Sequence, residues 1–283
     1  MKKTIMGKKR VISIATAVMM ALMFCLAGSV AADDINKQLA KSSIIDKVMR
    51  KGKLRVGLSS FVPWAMQDKK GEWIGFEIDV AKQLAKDMGV EIEFVPTKWE
   101  GLIPSLLTGK FDLIIAGMTG TPQRALKINF TIPYDYSGMN VVVHKNFAEG
   151  VTDYMDLDKK GNTIVSRVGT TGAALAKETF KNATVRLFPD EGPMVQELLN
   201  GKAAAFLGSA PQPAQFAAKY PETLMFLDKN LVQQPICIGV PKGDPDTLAY
   251  LNNWITTVRN NGFIQKKVDY WWKSLEWEAP VSY

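Results

Sequence analysis

One glycine- and threonine-rich segment that ends in an arginine has the residue types of an anion-binding loop. It covers residues 117–124 and reads GMTGTPQR. Its glycines allow the backbone to approach a ligand closely, its threonines offer hydroxyl groups, and the guanidinium of Arg124 can hold a carboxylate through two parallel hydrogen bonds. A turn whose arginine pairs with a surface acid would use the same residues, so the segment alone leaves both interpretations open.

The other chemistry-bearing residues favour binding over catalysis. The chain has one histidine, His144, so neither a histidine-based metal site nor a Ser-His-Asp triad is expected. Cys237 is the one cysteine beyond residue 25, and the apolar run around it predicts a buried, inert thiol. We therefore expect no metal, no cofactor and no catalytic residue.

The first 32 residues have the pattern of a cleaved signal peptide. Five positive charges precede an uncharged stretch at residues 11–27, and residues 30–32 are small, as a cleavage site requires. An uncleaved N-terminal anchor is the alternative, because the apolar stretch is slightly long. Five of the 35 Lys and Arg and none of the 28 Asp and Glu lie in this segment, so its removal lowers the formal charge from +7 to +2. Nucleic acids and anionic membrane surfaces are therefore not expected as partners.

Beyond the signal peptide, the apolar periodicity predicts strands that alternate with helices. The predicted strands are residues 54–58, 91–95 and 113–116, and the predicted helices are residues 78–88 and 99–108. Strands joined in this way form a parallel sheet, and ligands bind beyond the carboxyl ends of such strands. Phe61 and the segment 117–124 each follow a predicted strand, so we expect them at the same edge of one sheet.

A polar stretch at residues 145–162 interrupts this pattern, which then starts again. Strands are predicted at residues 163–168, 184–188 and 203–207, helices at residues 173–180, 192–200 and 212–220, a returning segment at residues 231–240, and closing helices at residues 246–259 and 264–272. We expect lobe 1 to comprise residues 33–140 and 235–283, and lobe 2 to comprise residues 141–234. Two crossings between lobes imply a cleft at a hinge, where a small ligand can be enclosed. A single long domain is the alternative.

Several sequence blocks occur in an order that resembles a known family. The blocks are GKLRVGLSSFVPW, GEWIGFEIDVAKQLAKDMG, KWEGLIPSLLTGKFDLIIAGMTGTPQRALKINFTIPY, VGTTGAALAKE and LNNWITTVRNNGFIQKKVDYWW. They resemble the periplasmic amino-acid-binding proteins of ABC transporters, known as solute-binding protein family 3, over nearly all of the chain after the signal peptide. The resemblance implies an α/β, two-lobed periplasmic-binding-protein fold, in which each lobe is a mostly parallel sheet flanked by helices and two crossover segments form the hinge. It also implies a periplasmic monomer that binds an amino acid or related carboxylate and delivers it to the membrane permease of an ABC transporter.

The resemblance also implies roles for individual residues. Arg124 matches the arginine that clamps the α-carboxylate of the ligand, and the Thr170-Thr171 loop matches the part of lobe 2 that closes over this carboxylate. Phe61 and Trp99 match aromatic residues that sandwich the ligand side chain, although ordinary core packing is the alternative for an aromatic residue. The ligand-binding residues expected from the resemblance are Phe61, Trp99, Gly117, Met118, Thr119, Arg124, Thr170, Thr171 and Ser209.

The sequence departs from the family where an amino-acid ligand would place its ammonium group. Relatives that bind ordinary amino acids usually have an aspartate there, whereas this chain has Ser209. Leu58 likewise replaces an acidic residue that many relatives use toward polar or cationic side chains of the ligand. An ammonium desolvated without a counter-ion is costly. Three explanations stay open: another acid such as Glu77, Asp135 or Glu191 reaches the ammonium, aromatic faces attract it, or the ligand has no primary amine.

Two other classes of function are considered. Cyclohexadienyl dehydratases are enzymes on the same scaffold, and their chemistry needs an acid in the cleft to protonate a leaving hydroxyl. The resemblance places a glutamate after the Gly-Thr loop in those enzymes, whereas Gly172-Ala173-Ala174 follows Thr171 here, so we expect binding and not catalysis. The sensor domain of a receptor kinase is also less favoured, because no second hydrophobic segment and no cytoplasmic domain follow Tyr283.

Overall fold

The computed structural model describes residues 43–274 and 276–278, so the predicted signal peptide lies outside the described part of the chain. The strands are β1 (Lys53–Leu58), β2 (Met66–Gln67), β3 (Trp73–Ile74), β4 (Glu91–Pro96), β5 (Leu113–Ile114), β6 (Asn129–Phe130), β7 (Asp135–His144), β8 (Thr163–Arg167), β9 (Thr184–Phe188), β10 (Ala205–Ser209), β11 (Leu224–Leu227), β12 (Gln233–Ile236) and β13 (Gly239–Val240). The α-helices are α1 (Ile44–Lys51), α2 (Phe76–Met88), α3 (Leu102–Leu107), α4 (Pro122–Ala125), α5 (Thr171–Thr179), α6 (Glu191–Leu199), α7 (Gln212–Lys219), α8 (Pro245–Asn260) and α9 (Phe263–Val268). None of these helices has the length and apolarity needed to cross a membrane.

The first sheet has the strand order β4-β1-β5-β13-β6. Strand β1 pairs in parallel with β4 and β5, while β13 returns antiparallel to β5 and β6. Its centre is buried because Leu54, Val56 and Leu113 are fully shielded from solvent. Helices α2 and α8 cover one face with apolar side chains that share a core cluster, which explains the helical spacing of these residues in the sequence.

The second sheet has the strand order β11-β7-β10-β8-β9, and β12 pairs with β7 outside this order. Strands β8, β9 and β10 run parallel, and β7 runs antiparallel to β10 and β11. Two core clusters, one around Val141 and Ala205 and the other around Val142 and Phe206, involve alternate residues of the same strands. Helices therefore pack on both faces of this sheet.

Two strands connect the sheets. Residues 135–138 of β7 pair antiparallel with residues 233–236 of β12, and the remainder of β7 belongs to the second sheet. After β12 the chain enters β13 of the first sheet. The lobe boundaries proposed from the sequence fall inside these two connecting strands.

The structure adds elements that the sequence pattern did not predict. Helix α1 precedes β1, in a segment for which no element was predicted, and its first backbone amide, that of Ile44, donates to Asp244 Oδ2 at 2.8 Å. Strand β11 was also not predicted, because it is stabilised by pairing with β7, which lies about 80 residues away along the chain. Strand β10 begins and ends two residues later than expected, which places Ser209 at its last position.

Candidate functional site

A cleft between the two sheets, called the central cleft below, brings most of the expected site residues together. It encloses about 540 Å³ of space free of atoms, including the part open to solvent. Eight of the nine expected ligand-binding residues line it, at the carboxyl ends of strands from both sheets. They are Phe61, Trp99, Gly117, Thr119, Arg124, Thr170, Thr171 and Ser209.

Met118 is the expected residue that does not line the central cleft. Its side chain is 2% exposed and packs in the core cluster of Leu102, Leu106 and Phe111. Its carbonyl oxygen accepts a hydrogen bond from the Cys237 amide at 3.0 Å. Met118 therefore holds the loop against the first sheet, while its neighbours Gly117 and Thr119 face the cleft.

Backbone geometry explains the glycine at position 117. Gly117 has φ of +65°, and a Cβ atom there would meet the indole of Trp64 at 3.0 Å. A side chain would thus be strained both by the left-handed conformation and by the contact. The chain then turns into the short helix α4, whose N-cap Thr121 accepts a hydrogen bond from the Arg124 amide at 3.2 Å. This turn directs Arg124 into the cleft.

The guanidinium of Arg124 is held by carbonyl groups and has no acidic partner among the described residues. Its Nη1 donates to the carbonyl oxygen of Thr119 at 2.9 Å, and its Nη2 donates to the carbonyl oxygen of Gly169 at 3.1 Å. Burial lowers the pKa of Arg124 to about 10, with no carboxylate offsetting this shift. The side chain is still cationic at neutral pH, and its charge is poorly compensated.

The ring of Trp99 lies close to two cations. Its ring centroid is 5.4 Å from the guanidinium carbon of Arg124 and 5.9 Å from that of Arg167. Its Nε1 donates to the carbonyl oxygen of Gly169 at 2.9 Å, so this one carbonyl accepts from both Trp99 and Arg124. Gly169 has φ of +75°, and a Cβ atom there would approach Trp99 Cδ1 to 3.3 Å. The close contact between Trp99 and the lobe 2 loop thus depends on glycine.

The two threonine loops meet at Gln234, a residue that the sequence analysis missed. Thr119 Oγ1 donates to Gln234 Oε1 at 3.0 Å, and Thr171 Oγ1 donates to the same oxygen at 2.6 Å. Gln234 lies in the connecting strand β12, so it joins both loops at the hinge. Thr170 is engaged differently: its Oγ1 accepts from the Ala173 amide at 3.1 Å and caps helix α5. A lone glutamine without a motif gave no sequence signal.

Arg167 is a second cationic residue of the cleft that the sequence analysis did not identify. Its Nη1 donates to the carbonyl oxygen of Ser60 and its Nη2 to Ser59 Oγ, both at 2.9 Å. Burial lowers its pKa, while nearby acids, first among them Glu191, act in the opposite direction. Arg167 comes from β8 and its acceptors follow β1, so it forms another contact between the two sheets.

The structure distinguishes the three acids left open by the sequence. Glu77 is fully buried and accepts a hydrogen bond from Tyr134 Oη at 2.6 Å. Asp135 lies in the connecting strand β7. Of these three acids, all in the described part of the chain, Glu191 alone lines the central cleft. Burial raises the pKa of Glu191 to about 7, against the opposing effects of Gln212 and Arg167.

These features define a two-lobed binding protein with a polar cleft at its hinge. The family of bacterial extracellular solute-binding proteins, family 3, matches residues 54–274. The chain belongs to this family, and the fold expected from the resemblance is confirmed.

Three relatives illustrate the range of functions among the proteins similar to this chain. The L-cystine-binding protein TcyJ of Escherichia coli (strain K12) is 30% identical over 252 residues, which cover 89% of this chain and 94% of that protein. A cyclohexadienyl dehydratase of Pseudomonas aeruginosa is 24% identical, with coverage of 86% and 90%. The crystal structure of a binding component of an ABC transporter from Wolinella succinogenes, complexed with lysine, is 41% identical and superimposes with a TM-score of 0.78, covering 81% of this chain and 99% of that one.

Proposed function

We propose that this protein is a periplasmic receptor that captures a small carboxylate-bearing solute, an amino acid or a derivative, and delivers it to the permease of an ABC transporter. Arg124 clamps the carboxylate, with the backbone of Gly117 and the hydroxyl of Thr119 at the same end. The observation that carries the proposal is the half-buried Arg124 guanidinium, which lines the central cleft without an acidic partner among the described residues. A ligand carboxylate supplies the missing charge.

Closure of the lobes around the solute is the whole mechanism. Arg124, Trp99 and Arg167 each make a hydrogen bond from one lobe to the other. A solute that contacts Arg124 in lobe 1 and Thr171 in lobe 2 adds contacts that exist only when the lobes are together. It therefore shifts the population toward the closed form, which the permease can recognise.

Binding measurements on the exported protein test this proposal. The protein is purified from the periplasm, freed of bound solute by unfolding and refolding, and screened by calorimetry against amino acids, their derivatives and simple carboxylates. We expect binding of at least one carboxylate, a smaller radius of gyration in its presence, and a monomeric mass without residues 1–32. Failure of the whole panel with correctly refolded protein would refute the receptor function.

A dehydratase-like enzyme is the second candidate, and Glu191 is the observation that favours it. The sequence showed no acid after Thr171, but the structure brings Glu191 into the central cleft from helix α6. A half-buried carboxyl with a pKa of about 7 suits a general acid at neutral pH. An absorbance assay with arogenate and prephenate distinguishes the candidates: turnover would establish the enzyme, and binding without turnover would support the receptor.

A further inference from the structure

We infer that the solute carries a cationic nitrogen as well as a carboxylate, and that Glu191 is the side chain that binds this nitrogen. The inference rests on the proposed function, since it takes Arg124 as the partner of the carboxylate. It assigns to helix α6 the role that an aspartate at the position of Ser209 has in relatives that bind ordinary amino acids.

The charges of the central cleft support this assignment. Its charged lining residues within the described part of the chain are Arg124, Arg167 and Glu191. Arg167 already donates to Ser59 and Ser60 of the other lobe. Burial disfavours the charged forms of all three groups; nearby acids oppose this shift for Arg167, whereas no acid does so for Arg124. Arg124 and Glu191 are a cation and an anion, a pair complementary to a solute with both charges.

The groups around Glu191 do not fully stabilise its charged form. Two cations face its carboxyl, Arg167 from β8 and Lys219 from α7, and both lower its pKa. The Gln212 side chain and the Val62 backbone amide act in the same direction. Burial nevertheless outweighs all four, so the carboxylate gains from an additional positive charge.

The other two acids are placed differently. Glu77 is bound by the Tyr134 hydroxyl in the core of the first lobe and does not line the central cleft. Asp135 lies on the connecting strand, where burial raises its pKa to about 6 although the Tyr136 amide and Arg259 act in the opposite direction, and it does not line the central cleft. Ser209 does line the cleft, but its hydroxyl supplies no charge and lies 3.8 Å from Met139 Sδ. Among these residues, Glu191 is therefore the available counter-ion.

Four probes with one carbon skeleton test the inference and locate the nitrogen. They are L-lysine, L-norleucine, 6-aminohexanoate and hexanoate, each titrated by calorimetry into the wild-type protein, Glu191→Gln and Glu197→Gln. Glu197 lies on the same helix and pairs with Arg186 at 2.7 Å, so it is the matched control. We expect wild type to prefer at least one amine over hexanoate by tenfold or more. Glu191→Gln should abolish this preference and leave hexanoate affinity within threefold, while the control changes neither.

A proton measurement gives a second readout that a merely structural role would not move. Burial raises the pKa of the Glu191 carboxyl to about 7 and an ammonium beside it lowers that pKa, so binding of the preferred amine at pH 7 should release protons. Calorimetry in phosphate and in Tris buffers measures this release. Glu191→Gln should eliminate it, and Glu197→Gln should retain it.

The outcomes separate the inference from the proposed function. Hexanoate binding as tightly as all three amines, or an amine preference that survives Glu191→Gln, would overturn the inference and leave a carboxylate receptor in place. The second result would assign the nitrogen to aromatic faces instead. No binding of the four probes or of the wider carboxylate panel would overturn both.

Discussion

The Nη2 atom of Arg124 donates a hydrogen bond to the carbonyl oxygen of Gly169 across the central cleft, at 3.1 Å. Arg124 thus belongs to both the carboxylate end of the site and the contact between the lobes. Opening of the cleft would remove this acceptor and expose the guanidinium to water. Ligand binding and lobe closure are therefore expected to depend on the same side chain.

Replacement of Arg124 tests the clamp directly. Arg124→Ala should weaken binding of any carboxylate solute by about 100-fold or more, because the loss of one partner of a buried charge pair costs about 3–5 kcal/mol. Arg124→Lys should recover part of this affinity, since it keeps the charge but not the two parallel donors. Calorimetry measures both variants, with the half-exposed Arg186→Ala as control. Near-normal affinity in Arg124→Ala would refute the clamp.

Replacement of Gln234 tests the link between the threonine loops. Gln234→Ala removes the acceptor shared by Thr119 and Thr171, so the closed form loses two hydrogen bonds of about 1 kcal/mol each. We expect roughly 30-fold weaker ligand binding, since about 1.4 kcal/mol corresponds to tenfold, and a larger radius of gyration of the ligand-free protein by small-angle X-ray scattering. Gln233→Ala, an exposed position on the same strand, is the control and should change neither quantity. Unchanged affinity would mean that the shared acceptor does not support closure.

Two substitutions of Trp99 separate its hydrogen bond from its ring. Trp99→Phe removes the donor to Gly169 but keeps an aromatic ring near the two guanidinium groups. It should weaken ligand binding by about fivefold, as expected for one hydrogen bond. Trp99→Ala also removes the face and should weaken binding further, by about 1 kcal/mol or more. Titration calorimetry ranks the two variants. Equal losses would show that the ring contributes nothing beyond its N–H group.

The buried acid Glu77 should make stability depend on pH. Burial raises its pKa from the ordinary 4.5 to about 8, although the Tyr134 hydroxyl and the Gly117 amide act in the opposite direction. Between these values the folded state binds a proton that the unfolded chain has lost, so the free energy of unfolding falls as pH rises from about 5 to 8. Glu191 adds the same trend up to about pH 7.

Thermal unfolding between pH 5 and 8 checks this expectation. Glu77→Gln keeps an acceptor for Tyr134 but cannot ionise, so its Tm should fall less with pH than that of wild type, and the difference should be largest at pH 8. Glu72→Gln, at an exposed position, is the control. Parallel curves for Glu77→Gln and wild type would show that Glu77 does not ionise in this range.

Local features of the sequence predicted much of this architecture. The spacing of apolar residues predicted α2 and α8, and short apolar runs predicted β1, β8 and β9, because these elements bury one face or both. Helix α1 and strand β11 were missed, since the cap at Asp244 and the pairing with β7 join distant parts of the chain. Local patterns contain no information about such contacts.

The sequence by itself determined the two-lobed α/β organisation and the loop that presents Arg124, because hydrophobic periodicity and glycine-rich turns are local properties. The tertiary structure alone decided what shares the cleft with Arg124. In the folded chain Met118 packs in the core, and Gln234 accepts hydrogen bonds from threonines of both lobes. Of the three acids that the sequence could not rank, Glu191 lines the cleft, whereas Glu77 and Asp135 do not. The physical reason is that strand pairing and lobe contact bring together residues about 60 to 115 positions apart, and only their folded positions fix burial and charge.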